Sequence, residues 1–262
     1  MKRARDGTAY TLDGTPGAPA VALIHGLGLT HHTWRWHAPA LGRRYRVLQY
    51  DLYGHGASPL PETPSLALFA RQLGDLLDEL EIGSAALVGF SLGGMINRRF
   101  ALDHPERVLA LVILNSPHER GPEAQRRVEE RARDSASGGP GANLDATIDR
   151  WFTREFQLRN PAVIDDVRAQ VLANHPDSYA LCRQVLACGV GELVRPAGTI
   201  TRPCLVMTAE CDSGSTPGMA EAIAAGIPGA ETRIVPGLRH MALVESPEAF
   251  TGPVLDFLGR AL

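Results

Sequence analysis

The sequence predicts an α/β protein with a mostly parallel central sheet flanked by helices and interrupted by one inserted helical region. Three observations predict it. Short, nearly continuous apolar runs alternate with segments of helical periodicity, the alternation stops between about residues 118 and 201, and it then resumes to the C-terminus. Apolar runs without polar alternation suit strands covered on both faces, and strand alternating with helix implies parallel pairing.

The elements follow in order. "AVALIH" at 20–25, "YRVLQYD" at 45–51, "AALVGF" at 85–90 and "VLALVILN" at 108–115 are the strand-like runs of the first half. Between them Leu66, Phe69, Leu73, Leu76, Leu77 and Leu80 recur at helical spacing, and Gly93 to His104 reads as a helix stopped by Pro105. In the insert "EAQRRVEERARDSA" and "PAVIDDVRAQVLANH" read as helices, with "SGGPGAN" separating helical pieces. After it come the strand "PCLVMTAE" at 203–210, the helical "PGMAEAIAAGI", the strand "AETRIVP" at 230–236 and a last helix from about Pro247 to Leu262. One core, residues 1–117 and 202–262, carrying one insert, residues 118–201, explains the interruption better than two independent domains.

Composition narrows the function classes. The chain has 262 residues, 44% hydrophobic and 21% charged, enough for one folded unit with a substantial core. A formal net charge of -3 supplies no general attraction to nucleic acid or to an anionic membrane. The basic start "MKRARDGTAYTLDG" has no apolar stretch behind it, and no window approaches the ~18 uninterrupted apolar residues of a spanning helix. Cys182, Cys188, Cys204 and Cys211 are too scattered for a disulfide framework or paired CxxC zinc motifs. The expectation is a cytoplasmic protein with reduced thiols, acting on a small molecule as a monomer or homodimer.

The chemistry centres on "LVGFSLGGM", where Gly89-Phe90-Ser91-Leu92-Gly93 matches G-x-S-x-G between a strand and a helix. Small residues around the serine permit a sharp turn that projects Ser91 from the end of the sheet. The plainer alternative is a glycine-rich turn whose serine caps the helix. A serine hydroxyl needs a base, and the base needs a carboxylate to hold its tautomer and support its cationic form. Both occur after late strands, Asp212 in "ECDSGSTP" and His240 in "GLRHMALVESPE". Glu210 and Glu245 are the competing carboxylates; Asp212 ranks first because a short side chain just past a strand end can reach a neighbouring loop. Two N–H donors for a developing oxyanion are expected from Leu92, directly after the serine, and Leu27 in "LIHGLGL".

Together these residues resemble the α/β-hydrolase superfamily over almost the whole chain. His25-Gly26-Leu27-Gly28 is similar to its oxyanion loop, "DLYGHGAS" at 51–58 to its D-x-x-G-x-G-x-S segment, and Gly89 to Gly94 to its nucleophile elbow. The resemblance implies an α/β-hydrolase fold, a helical cap formed by residues 118–201, and a structural rather than catalytic Asp51. It also implies that the fold's usual first strand is very short or absent, since only about twenty residues precede "AVALIH". A serine at the elbow, where epoxide-opening and dehalogenating members carry aspartate, points to ester or lactone hydrolysis with no cofactor or metal. "GFSLGGM" and "GLRHMALVESPEAF" look most like 3-oxoadipate enol-lactonases and carboxylesterases. Carbon–carbon bond hydrolases and cofactor-free perhydrolases use the same parts, and a small-molecule receptor that kept the architecture is the alternative of another class.

Candidate pocket residues are His25, Gly26, Trp34, Met95, Trp151, Phe152 and Met241, with Trp151 and Phe152 expected along the acyl pocket. Among the insert's arginines, Arg150 and Arg154 beside these aromatics are the better pocket candidates. Arg120, Arg126, Arg127, Arg131 and Arg133 are interleaved with Glu123, Glu129, Glu130 and Asp134, as on a solvated helix laced with ion pairs.

Overall fold

A computed structural model describes residues 1–61 and 63–262. Its centre is an eight-stranded sheet in the order β1-β2-β4-β3-β5-β6-β7-β8. The strands are β1 (Lys2–Arg3), β2 (Ala9–Gly14), β3 (Ala20–Ile24), β4 (Arg46–Tyr50), β5 (Ala85–Phe90), β6 (Val108–Leu114), β7 (Cys204–Ala209) and β8 (Glu231–Val235). Strands β3 to β8 pair in parallel, whereas β1 and β2 add an antiparallel margin against β4. Every residue of β3, β5 and β7 is buried. Successive strand residues face opposite sides, so both faces of the central sheet are covered, as their unbroken apolar runs require.

Helices supply that cover and connect the parallel strands. They are α1 (Ala38–Leu41), α2 (Leu66–Glu79), α3 (Leu92–Asp103), α4 (Pro122–Gly138), α5 (Leu144–Trp151), α6 (Arg154–Arg159), α7 (Pro161–Leu172), α8 (Pro176–Cys188), α9 (Gly191–Val194), α10 (Pro217–Ala225), α11 (Ala242–Glu245) and α12 (Glu248–Ala261). Helix α2 begins where its spacing predicts, with the Ser65 Oγ accepting from the Leu68 N–H at 3.1 Å, and it buries Leu66, Phe69, Leu73, Leu76 and Leu77. Helices α4 to α9 all fall between β6 and β7, where the strand pattern lapses, and among the described residues that stretch adds no strand to the sheet. The first strand is indeed very short, two residues, while β2 escaped the sequence reading because "AYTLDG" mixes polar and apolar residues at the sheet margin.

The "DLYGHGAS" loop after β4 is built around a buried carboxylate. Asp51 accepts from the His31 N–H and the Ala57 N–H at 2.8 and 2.9 Å, and lies 2.8 Å from His31 Nδ1. Gly56 sits at φ +52°, and a Cβ there would lie 2.2 Å from Asp51 Oδ2, so only glycine lets the loop close over the acid. Burial pushes the Asp51 carboxyl up, but the His31 hydrogen bond, the charge of His25 and the two backbone donors outweigh it and bring it down to about 2.

No helix among the described residues is long and apolar enough to cross a membrane, and all four cysteines are free thiols. Because the folded state holds Asp51 below its ordinary value, the stability it confers is complete above about pH 5 and disappears as pH falls toward 2. Acid unfolding followed by circular dichroism should show wild type losing about 2 kcal/mol more than Asp51→Asn across that window.

Candidate active site

Parallel pairing brings the C-terminal ends of β5, β7 and β8 to one edge of the sheet, and each end leads into a loop carrying one polar residue. Ser91 follows β5 directly at φ 55° and ψ -113°, a region that non-glycine residues rarely occupy. It stands at the cap position of α3, yet its side chain makes no capping hydrogen bond. The hydroxyl instead lies 3.1 Å from His240 Nε2. The capping alternative is therefore not what this serine does.

The turn is held by close backbone approach. A Cβ on Gly89 would lie 2.2 Å from the Gly93 carbonyl oxygen, and one on Gly93 would lie 2.1 Å from that of Ile24 at the end of β3. Gly26 brings the loop after β3 against the serine, its own Cβ position 3.2 Å from Ser91 Cβ. Behind the turn, the Ser91 N–H donates to Leu114 O at 2.9 Å, and Ser116 Oγ donates to Ser91 O at 2.9 Å.

The loops after β7 and β8 are laced together by Glu210 N–H to Val235 O and Cys211 N–H to Leu238 O, at 2.8 and 2.9 Å. This pairing sets Asp212 Oδ2 2.7 Å from His240 Nδ1. Oδ2 also accepts from Asn115 Nδ2 at 2.9 Å, while Oδ1 accepts from the Gly214 and Ser215 N–H groups at 2.8 and 2.9 Å. Asp212 is 2% exposed. Burial raises its pKa, but the His240 charge and these donors prevail and hold the carboxyl below its ordinary range. The competing carboxylates are engaged elsewhere: Glu210 with the Gly237 N–H at 2.8 Å, and Glu245 with the Thr153 N–H at 3.0 Å and the Thr153 hydroxyl. Asn115 was missed in the sequence. Its only signal is a polar residue ending the apolar run "VLALVIL", and its φ of 45° turns the chain there.

With Asp212 accepting at Nδ1, the Nδ1–H tautomer leaves Nε2 free to accept the Ser91 proton. Among the described residues, neither the Leu27 nor the Leu92 N–H has a protein acceptor, although both residues are buried. A backbone N–H without an acceptor is rare in a buried residue; Leu92 directly follows Ser91, and Leu27 shares the pocket wall with it. The pocket wall includes Ser91, His240, Asp212, Gly26, Leu27 and Trp151, in a cavity of about 100 Å³. Trp151 lies beside His240 with ring centres 6.1 Å apart, and its carbonyl accepts the Met241 N–H at 2.8 Å.

Five expected pocket residues lie outside that wall. His25 is fully buried, its Nε2 accepting the Leu52 N–H at 3.0 Å and its Nδ1 donating to Gly26 O at 2.8 Å, so it braces two loops. Burial lowers its pKa to about 4, so it is neutral near pH 7 and takes up charge only in the acid range where Asp51 titrates. Trp34 packs edge-on against His37, and Met95 and Met241 are core residues. Phe152, just past the end of α5, is fully buried and stacks on Phe156 inside the insert. Trp34, Met95, Phe152 and Met241 are all taken up by the hydrophobic core instead. The arginines divide differently as well. Arg126 and Arg127 pair with Glu130 and Glu123 as expected, but Arg120 and Arg131 join Arg150 and Arg183 on the pocket wall, and Arg154 does not.

Among the described residues no group of three or more His, Cys, Asp or Glu side chains is placed to hold a metal ion. The family model described as "Alpha/beta hydrolase family" matches residues 21–252. RutD of Klebsiella pneumoniae (strain 342), named as an inferred carbamate hydrolase, is 30% identical over 249 residues, covering 94% of each chain. The enol-lactonase from Burkholderia xenovorans LB400 superposes with a TM-score of 0.87 at 29% identity, covering 97% of this chain and 98% of its own. A thermophilic esterase from Thermogutta terrifontis gives 0.85 at 27% identity, covering 98% and 96%.

Because the added Cβ of Gly89→Ala meets a backbone carbonyl that cannot move without displacing α3, this variant should lose about 3 kcal/mol in urea unfolding.

Proposed function

The chain belongs to the alpha/beta hydrolase family, and from that premise we propose that it cleaves a carboxylic ester or lactone of a small molecule through an acyl-enzyme on Ser91. The observation that carries this reading is the continuous relay from Ser91 Oγ through His240 to Asp212, at 3.1 and 2.7 Å. His240 Nε2 takes the Ser91 proton as Oγ attacks the carbonyl carbon, and a tetrahedral oxyanion forms. The Leu27 and Leu92 N–H groups receive that oxyanion, which supplies the partner their burial otherwise lacks. Protonated His240 then gives its proton to the leaving oxygen, and the acyl group remains on Ser91. In the second half water attacks the acyl carbon, His240 again takes the proton, and Ser91 leaves with it.

Asp212 fixes the tautomer and supports the imidazolium without itself taking the proton. Asn115, Gly214 and Ser215 satisfy its remaining capacity, so the carboxylate is both oriented and kept ionised. The helical insert, residues 118–201, serves as a cap: Arg120, Val128, Arg131, Thr147, Arg150, Trp151, Arg183 and Leu186 supply its part of the pocket wall. Similarity to a relative named for carbamate hydrolysis adds carbamates to the carbonyl compounds worth assaying, since the same relay can attack that carbon.

The test is turnover of a panel of short esters, lactones, a carbamate and a β-diketone by wild type and Ser91→Ala in parallel. Ser91→Ala should fold normally by circular dichroism and lose activity about 10⁶-fold; near wild-type turnover in that variant rejects the assignment. Asp212→Asn should keep the geometry and lower kcat about 10⁴-fold, because the amide presents the wrong partner to Nδ1.

A further inference from the structure

The cap's share of the pocket wall carries four guanidinium groups, Arg120 before α4, Arg131 on α4, Arg150 on α5 and Arg183 on α8. All four are only partly exposed, and among the described residues none lies within ion-pair distance of a carboxylate. Four arginines elsewhere in the insert do find one: Arg126 with Glu130, Arg127 with Glu123, Arg159 with Glu155 and Arg168 with Asp145. The carboxylate on the pocket wall, Asp212, has both oxygens already engaged by His240, Asn115, Gly214 and Ser215.

Three of the four, Arg120, Arg150 and Arg183, are anchored on neutral partners, which orients them without cancelling their charge. Arg120 donates to Gln125, Leu186 O and Ala187 O, Arg150 to Ala146 O and Thr147 Oγ1, and Arg183 to the Tyr179 hydroxyl at 2.8 Å. Arg131 donates to no described side chain or carbonyl, and Arg120 Nε is buried without an acceptor. Burial, then the neighbouring guanidiniums, lower Arg120 and Arg150 to about 10 and Arg131 in the same direction, so all stay charged near neutrality. Like charges gathered in a partly dry cleft are costly alone and favourable around an anion.

We propose that the substrate is itself an anion: an ester or lactone bearing a second, ionised carboxylate that sits among Arg131, Arg150 and Arg183 while its reacting carbonyl sits at Ser91. This rests on the serine-hydrolase reading above and specifies its substrate class. A half-ester of a small dicarboxylic acid has the required form. Apolar side chains of Leu29, Val128, Leu186 and Trp151 complete the wall and suit the methylene segment between the two groups. The planar guanidinium fork matches a carboxylate with paired hydrogen bonds, which an ammonium cannot reproduce.

The experiment compares ethyl hydrogen glutarate with diethyl glutarate, which share one acyl chain and differ in one charge. Wild type should favour the charged half-ester in kcat/KM by about tenfold or more, and Arg131→Gln, Arg150→Gln and Arg183→Gln should each cut that ratio about tenfold, mainly through KM. Arg150→Lys should recover only part of it. Equal or better use of the diester by wild type, or a ratio that none of the variants moves, overturns the proposal. Calorimetry on Ser91→Ala with glutarate and glutaramide reads the cluster without chemistry and without any arginine variant. Glutarate should bind, more weakly at high salt, and glutaramide should not; no glutarate binding also overturns the proposal. Glutarate binding with no ester turnover by wild type sustains the arginine cluster and removes the hydrolase reading, whereas Ser91-dependent turnover with no charge preference does the reverse.

Discussion

The site depends first on the turn at Ser91. A strand buried on both faces must end and a helix begin with no intervening loop, which forces one non-glycine residue into a positive-φ conformation and brings α3 against the ends of β3 and β5. Gly89 and Gly93 make that approach sterically possible, and the Leu114 and Ser116 contacts hold the serine backbone from behind. The geometry leaves the hydroxyl with nothing to cap and points it at His240. It also begins a helix at the serine, so the Leu92 N–H has no carbonyl one turn back to bind. The position of the Ser91 hydroxyl and the orphan Leu92 N–H are thus two consequences of one backbone constraint.

The second constraint is the saturation of Asp212. A buried carboxylate is stable only if its lone pairs are engaged, and here four donors from three segments meet on two oxygens. Asn115 comes from the end of β6, which lies between β5 and β7 in the sheet, so the sheet order itself supplies the fourth donor. Asp51 shows the same physics in a structural setting. Its hydrogen bonds join the loop after β4 to the segment after β3, while His25 joins the ends of the same two strands as a neutral imidazole. The loop that carries Leu27 is therefore fixed from its far side by groups that never touch the cavity.

The insert is built on a different rule. Its outward Arg126 and Arg127 pair with acids one turn away, which is ordinary for a solvated helix, whereas its inward Arg120, Arg150 and Arg183 are anchored on neutral side chains and carbonyls. The difference gives the cavity two chemically distinct ends: the hydrogen-bonded chain Ser91–His240–Asp212 on the sheet side and a positive, partly apolar wall on the side of the insert. Trp151 joins them, since it adjoins Arg150 in sequence, lies beside His240 in space and accepts the Met241 N–H.

The sequence by itself determined the α/β alternation, the insert, the serine turn, and the order Ser91, Asp212, His240. Each of these is local: an apolar run, a loss of strand signal, small residues around a serine, a polar residue just beyond a strand. Parallel pairing then leaves little choice about where strand ends meet. Only the tertiary structure decided that Asp212 rather than Glu210 or Glu245 reaches His240, that Asn115 supports it, and that His25, Trp34, Met95, Phe152 and Met241 do not line the cavity. Tertiary packing also separated Arg131 from Arg127, which share a helix and similar neighbours in sequence but differ in what lies opposite them. The physical reason is that hydrogen-bond partners and burial direction depend on segments distant in the chain, and a rotation of one residue on a helix or strand exchanges solvent for pocket.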